Sequence, residues 1–291
     1  MDKYFISYRE MLSLRGLTDH TITSYATYIR AYLEYLSDVL KKQPEDVSWD
    51  ELRAFIKWLQ LTRHLSDRTM NAVISQLRFF TIYVLHLPWD SSQLPKRKFD
   101  SYLPYIPSQK DTWTFISTIS DKKARAFITL MYSAGLRVGE VRHLKCSDIE
   151  HSKNRIFIRH SKNRSSRYAI LSHIAWNTIL EYWYSFPVKE RPRDWLFTQT
   201  RRKDRPIDHQ RIPDFLKKHE QFLGWEHRIS CHTFRHAFGT HLYENGTDLL
   251  TIKELLGHKS LESTMIYVHL ASNGTRNATS PLDRLAGEFH V

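Results

Sequence analysis

The segments H-T-F-R-H-A-F-G-T-H-L at 232–242 and L-L-G-H-K-S-L-E-S-T-M-I-Y at 255–267 decide how this chain of 291 residues is read. His232 and Arg235 fall three apart and share one helix face, a spacing that packing alone does not ask for. Phe234, Phe238 and Leu242 supply the apolar face of the same helix. Gly257 closes the apolar run Leu249, Leu250, Ile252, Leu255, Leu256 as a left-handed C-terminal residue, so His258 is the first side chain thrown clear. Ser260 restarts a helix whose expected buried stripe is Leu261, Met265 and Val268. That stripe leaves the Tyr267 phenol free, about two turns in.

Working outward, S-A-G-L-R-V-G-E at 133–140 ends an apolar helix, Lys123 to Ser133, at Gly135 and places Arg137 just before the next helix. Unpaired N–H groups at a helix start favour an anion there. The plainer reading of Arg137 is a surface ion pair with Glu140. The clear β signal is at 154–171, where Ile156 and Ile158 alternate with polar neighbours, S-K-N-R-S-S makes a turn, and Tyr168 and Ile170 alternate again. Lys162 sits at the tip of this hairpin. Helices are expected through Ile174, Ile179, Tyr182 and Trp183, and from Arg211 to Gln221, with R-R-K-D-R-P at 201–206 as a surface loop between them.

The first hundred residues read as a small bundle of four helices. The first holds Phe5, Ile6, Tyr8, Met11 and Leu12, and the second opens at Thr18 or Asp19. The third starts at Ser48, whose S-W-D-E is a capping box with Glu51. The fourth starts at Ser66 and buries Val73, Leu77, Phe80, Ile82 and Val84 before Pro88 stops it. Residues 88–107 hold four of the ten prolines and the triplet Lys96, Arg97, Lys98, a composition expected for a semi-rigid linker. The chain therefore divides into a helical domain at 1–90, a linker at 91–107, a second domain at 108–272 and a tail at 273–291.

Charge points to a polyanionic partner. The chain carries +12, and the excess is uneven: residues 1–107 hold 14 basic and 12 acidic side chains, residues 108–291 hold 29 and 19. Residues 151–180 include Lys153, Arg155, Arg159, Lys162, Arg164 and Arg167 with no acidic residue. On a chain this basic, that run is expected to track phosphates, with Arg159, Arg164, Arg167 and the linker triplet Lys96, Arg97, Lys98 as DNA-binding candidates. No run reaches the ~18 apolar residues of a membrane span, and the N-terminus lacks the order of a signal peptide. A cytoplasmic, nucleoid-associated protein is expected. Cys146 and Cys231 stand apart without a C-x-x-C pair, so both are expected as small core residues. The sequons at Asn273 and Asn277 would matter only in a secreted protein.

The ordered set H-x-x-R-H, L-G-H-x-S-x-x-S-T-x-x-Y and S-A-G-L-R-V-G-E closely resembles the tyrosine site-specific recombinases, the integrase and Xer-like enzymes of phages, transposons and chromosome-dimer resolution. The resemblance runs along the whole chain, including L-S-D-R-T-M-N at 65–71, though its specificity lies in about forty residues. It implies a mainly α fold with a small β-hairpin: a helical SAM-like core-binding domain and an α+β catalytic domain that together clamp DNA. It implies catalytic roles for Arg137, Lys162, His232, Arg235, His258 and Tyr267, with no cofactor and no metal. The family's hairpin lysine usually stands in a glycine-rich G-K-G-x-K-x-R turn. Here Ser161 and Asn163 replace glycines, and register against Arg167 and Leu171 selects Lys162 over Lys153.

Phosphodiester exchange through a tyrosine conserves the energy of the broken bond, so the protein itself must supply every charge. Arg137 and Arg235 suit a phosphate clamp because each planar fork matches two oxygens. His232 would accept the Tyr267 proton, Lys162 would protonate the 5′ oxygen, and His258 would donate to a phosphate oxygen. The expected partner is double-stranded DNA with paired inverted-repeat sites. The protein is expected as a monomer or dimer when free and as a homotetramer on synapsed DNA, and the expected tail, 273–291, docks on a neighbouring subunit. Three readings compete: a zinc site from His232, His236 and His241, which lacks the Glu of H-E-x-x-H; an inactive architectural DNA-binding protein, which would have lost at least one of the six positions; and a type IB topoisomerase, which needs neither partner subunits nor a specific site.

Overall fold

The computed structural model describes residues 1–99, 103–159 and 166–271. Lys162 and Arg164 at the hairpin tip, and the tail 273–291, lie outside the described residues. The chain separates into two compact units, Met1–Tyr102 and Leu103–Val291.

The first unit holds α1 (Asp2–Leu14), α2 (Asp19–Tyr35), α3 (Trp49–Arg63) and α4 (Asp67–Tyr83). Their starts are chemically marked. Thr18, Ser48 and Ser66 each accept a backbone N–H from the first turn. The capping box is complete, since Glu51 accepts the Ser48 N–H at 2.9 Å and Ser48 Oγ accepts the Glu51 N–H at 3.3 Å. Tyr8, Tyr32, Phe55 and Phe80 meet in the core at tilted and edge-on angles. Two sequence expectations change here. Helix α4 ends at Tyr83, before Pro88, and Ile82 and Val84 are only half-buried.

The stretch expected as linker is also partly folded. Trp89 packs edge-on against Trp49, Leu94 is buried, and the Asn71 side-chain amide donates to Arg97 O at 2.9 Å and accepts the Arg97 N–H at 2.8 Å. The Arg97 guanidinium pairs with Asp67 at 2.8 Å, so of the basic triplet Lys96 and Lys98 are the exposed members. The reason is tertiary: the Asn71 side chain on α4 satisfies the backbone of a segment 26 positions later that has no strand or helix to join.

The second unit runs α5 (Gln109–Ser117), α6 (Lys122–Ser133), α7 (Val138–Arg142), β1 (Ile149–Glu150), β2 (Arg155–Ile158), β3 (Arg167–Ile170), α8 (His173–Tyr184), α9 (Arg211–Phe222), α10 (Cys231–Glu244), α11 (Leu249–Leu256) and α12 (Glu262–Leu270). Its core gathers around α6, whose Ala126, Phe127, Ile128 and Leu130 are wholly buried. The three strands form one antiparallel sheet in the order β1-β2-β3, so the expected hairpin gains a short third strand. Strand β2 pairs with β3 in the register Ile156 to Ala169, Phe157 to Tyr168 and Ile158 to Arg167. Directly paired residues share a face. Ile156, Ile158 and Ala169 are buried, and Arg167 shares their inner face. Phe157 and Tyr168 face outward, with the Arg155 guanidinium 3.8 Å from the Tyr168 ring.

Candidate active site

The site is assembled from five segments: the turn into α7, strand β3, helix α10, the α11–α12 turn and helix α12. Ser230 caps α10 by accepting the Thr233 N–H. One turn further on, Arg235 is buried, with 3% of its surface exposed. Its Nη2 donates to Leu256 O at 2.7 Å and its Nη1 to Gly135 O. Both carbonyls precede turns that hold candidate residues, so a single guanidinium ties the Arg137 turn to the His258 turn. Gly135 is left-handed (φ 61°), and an added Cβ there would stand 2.4 Å from Phe238 Cδ1, which is why the chain can approach α10 so closely. Burial lowers the Arg235 pKa to about 10, with Arg137 adding to the effect. The side chain remains charged at neutral pH.

Arg137 stands at the N-cap of α7, and Glu140 accepts both its backbone N–H and its Nη1 at 2.9 Å. The ion pair considered from sequence is thus present, but it is not at the surface. Glu140 is buried and also receives both forks of Arg167, with Nη1 to Oε1 and Nη2 to Oε2 each 2.9 Å. Arg235 stands 3.9 Å from the same carboxylate. Burial works against the Glu140 charge, but the hydrogen bonds and positive charge of Arg167 and Arg137 prevail and leave its pKa lowered.

Arg167 was expected at the DNA surface, and the structure corrects this: its side chain is 10% exposed and is spent on Glu140 and on Leu255 O. The reason is the two-residue period of β3, which puts it on the inner face with Ala169. Arg159 remains outside, half-exposed, with its Nε 2.6 Å from the buried Asp148 carboxylate.

Tyr267 is also placed differently from the expectation. The phenol is not free: the residue is 1% exposed, and its ring lies on Gly239, where an added Cβ would stand 2.5 Å from the ring carbon bearing the hydroxyl. Of the expected stripe, Leu261 and Met265 are exposed and Val268 is half-buried, while Thr264 and Tyr267 are buried. Around it pack Phe238, Ile252 and Leu256. Burial raises the Tyr267 pKa, and the nearby positive charges of Arg235 and Arg137 oppose that rise.

His258 follows Gly257, which takes the left-handed C-cap position (φ 66°) as expected. Its ring stacks near Tyr267 with centroids 6.2 Å apart, and Nδ1 lies 3.0 Å from Thr264 Oγ1. Burial lowers its pKa to about 4, helped by Arg235 and Arg137. His236 approaches Tyr267 from α10 at 6.0 Å between centroids, and its pKa also falls to about 4 through burial, then His232 and Arg235. His232 is exposed one turn earlier, its ring 6.3 Å from that of His236.

Arg137, Arg235, His258 and Tyr267 are therefore brought together, with His232 at the exposed edge. Sequence reading missed Gly239 and Thr264, weighed His236 only as a zinc ligand, and weighed Glu140 only as a surface partner. The strand period was the signal that could have turned Arg167 inward. The zinc alternative fares poorly on His241, whose ring nitrogens face Tyr132 Oη at 2.9 Å and Pro107 O at 3.2 Å. Among the described residues no group of three or more His, Cys, Asp or Glu is placed to hold a metal. Nor, among them, is any helix long and apolar enough to cross a membrane.

Two family models match this chain. Residues 110–273 match the phage integrase family, and residues 5–91 match its N-terminal SAM-like domain. A putative integrase/recombinase, y4eF of Sinorhizobium fredii, is 31% identical over 237 residues, covering 81% of this chain and 92% of that one. The tyrosine recombinase XerA of Thermococcus kodakarensis is 29% identical over 283 residues, 95% of each chain. Among solved structures, a lambda integrase (75-356) dimer bound to a COC' core site superposes with a TM-score of 0.70 at 19% identity. That match covers 97% of this chain and 99% of the other, a likeness of fold. A family match across more than half the length, a matched companion domain, and a relative above 30% identity place this chain in the phage integrase family, the site-specific tyrosine recombinases, whose catalysis is the cleavage and rejoining of DNA.

Proposed function

We propose that Tyr267 is the nucleophile and that Arg137 and Arg235 clamp the scissile phosphate. The observation that carries this is the packing of the Tyr267 ring on Gly239, one turn from Arg235, within the field of both arginines. The tyrosyl oxygen attacks phosphorus, the bond to the 5′ oxygen breaks, and a 3′-phosphotyrosyl link forms. The Tyr267 proton passes to His232, and Lys162 gives a proton to the departing 5′ oxygen, which leaves as the hydroxyl. His258 stays neutral: accepting at Nδ1 from the Thr264 hydroxyl leaves its Nε2–H to donate to a non-bridging oxygen. The two arginines offset the charge that gathers on the pentavalent phosphorus centre. Because Tyr267 lies beside its own subunit's arginines, each subunit cuts with its own tyrosine.

The substrate is double-stranded DNA carrying paired inverted-repeat arms, contacted at phosphates by exposed Lys96, Lys98 and Arg159 and by Arg164. In domain terms, 1–90 is a core-binding domain, 91–107 a linker whose first part, up to Arg97, packs on that domain, 108–272 the catalytic domain and 273–291 a docking tail. A homotetramer on two synapsed sites exchanges strands in two ordered pairs through a four-way junction. The S-P-L-D-R-L at 280–285 fits a mobile-element recombinase working at the nucleoid. The test is Tyr267→Phe, which is expected to bind its site and lose the covalent protein–DNA adduct. An adduct persisting on denaturing gels would assign the nucleophile elsewhere.

A further inference from the structure

Arg167 ties three parts of the site together through one side chain. Its Nη1 and Nη2 take both oxygens of Glu140 at 2.9 Å, and its Nε donates to Leu255 O at 3.1 Å. The stem passes where Gly257 has no side chain: an added Cβ there would stand 2.8 Å from Arg167 Cδ. Strand β3, the α7 turn and the C-cap of α11 are thus joined through one side chain, itself 10% exposed. The same carboxylate holds Arg137 at 2.9 Å and has Arg235 at 3.9 Å. Three guanidinium groups surround one buried carboxylate.

We infer that Arg167 is a positioning residue: by saturating Glu140 it keeps Arg137 and Arg235 available to the scissile phosphate instead of drawn onto that carboxylate, and it fixes the strand that follows the Lys162 turn. This rests on the reading of Arg137 and Arg235 as the phosphate clamp. A carboxylate is satisfied best by a fork that meets both oxygens at once. With Arg167 present, that demand is met from β3: Arg137 donates to Glu140 through a single Nη1, and Arg235 faces the carboxylate only at 3.9 Å. Without it, one buried negative charge faces two arginines whose task is to bind another anion, and the compensation they give to Glu140 is lost to the phosphate. Arg167 touches no substrate atom in this scheme, since its fork points away from solvent.

The test compares Arg167→Gln, Arg167→Lys and the double variant Arg167→Gln with Glu140→Gln, each in the full-length chain. The probe is a nicked duplex built on the paired inverted repeats flanking its gene, which traps the adduct. Arg167→Gln is expected to form adduct about 10²-fold more slowly, the scale set by small misplacements of reacting groups, while binding a single site as the wild type does. Glu140→Gln in the same chain removes the unbalanced charge and is expected to recover part of the rate. A loss of packing alone would not reverse in that way. Arg167→Lys, which keeps the charge and loses the fork, is expected between the two.

Adduct formation by Arg167→Gln at the wild-type rate would overturn the proposal. So would a double variant no faster than the single one, or a binding loss that parallels the cleavage loss and marks Arg167 as a DNA contact. If Arg167→Gln does not fold, Arg167→Lys decides: wild-type cleavage by it would sink the positioning role, and slower cleavage with intact binding supports it. Failure of the underlying catalytic reading is seen separately, as adduct formed by Tyr267→Phe.

Discussion

His236 and His258 reach Tyr267 from different elements, and both are held neutral at a pH where an exposed imidazole begins to take up protons. Their pKa values fall from an ordinary 6.5 to about 4 because burial and the neighbouring arginines disfavour a further positive charge. The unfolded chain therefore binds more protons than the folded one between these values, so stability rises with pH across the window and is lost as pH falls through it. The expected outcome is a urea midpoint for the full chain that drops between about pH 7 and pH 5, with a smaller drop in His258→Gln. Parallel curves for the two proteins would remove His258 from the linkage. A neutral His258 also fits a hydrogen-bond donor that adds no charge of its own, leaving charge stabilisation to Arg137 and Arg235.

The elements differ in how much local chemistry holds them. Helix α3 is secured by a reciprocal cap, with Ser48 and Glu51 each satisfying the other's backbone N–H. Ser48→Ala removes one half of it and is expected to cost about 1 kcal/mol, measured as a fall in urea midpoint; an unchanged midpoint would show that the cap is redundant. Helix α12 has no such device, and Leu261, at its N-cap, makes no side-chain cap hydrogen bond. Its apolar residues Met265, Ile266, Val268 and Leu270 lie on several faces, so nine residues carry no clear periodicity. What fixes its rotation is the flat patch that Gly239 leaves on α10, into which an aromatic ring fits and a branched aliphatic side chain does not.

For the whole molecule, the second part of the chain carries nearly all the net charge, and the residues after 271 hold a polar stretch ending in Pro281, Leu282, Leu285, Ala286 and Phe289. Such a segment is suited to a tether with an apolar end. On the proposed head-to-tail assembly, each subunit's tail contacts the next and a ring of four closes. Truncation after Ser272 is expected to leave single-site binding intact, to reduce tetramers on paired-site DNA in analytical ultracentrifugation, and to abolish recombination of two sites. Full recombination with unchanged tetramers would show that the tail serves only its own subunit.

The sequence by itself determined the helix starts at Ser48 and Ser66, the glycine stop at 257, the β2–β3 pairing and the family, because each is written in a few neighbouring residues whose backbone chemistry is local. It also singled out Arg137, Arg235, His258 and Tyr267, since no core requires those side chains at those intervals. Only the tertiary structure decided which way they face. Tyr267 is buried because Gly239, 28 positions earlier, leaves room for its ring. Arg167 turns from a surface charge into an internal strut because the strand's inner face meets Glu140, 27 positions earlier. Residues up to Arg97 belong to the bundle because Asn71 pairs with a backbone that has no other partner. In each case the deciding atom lies on a distant segment, where helical and strand periodicity carry no information.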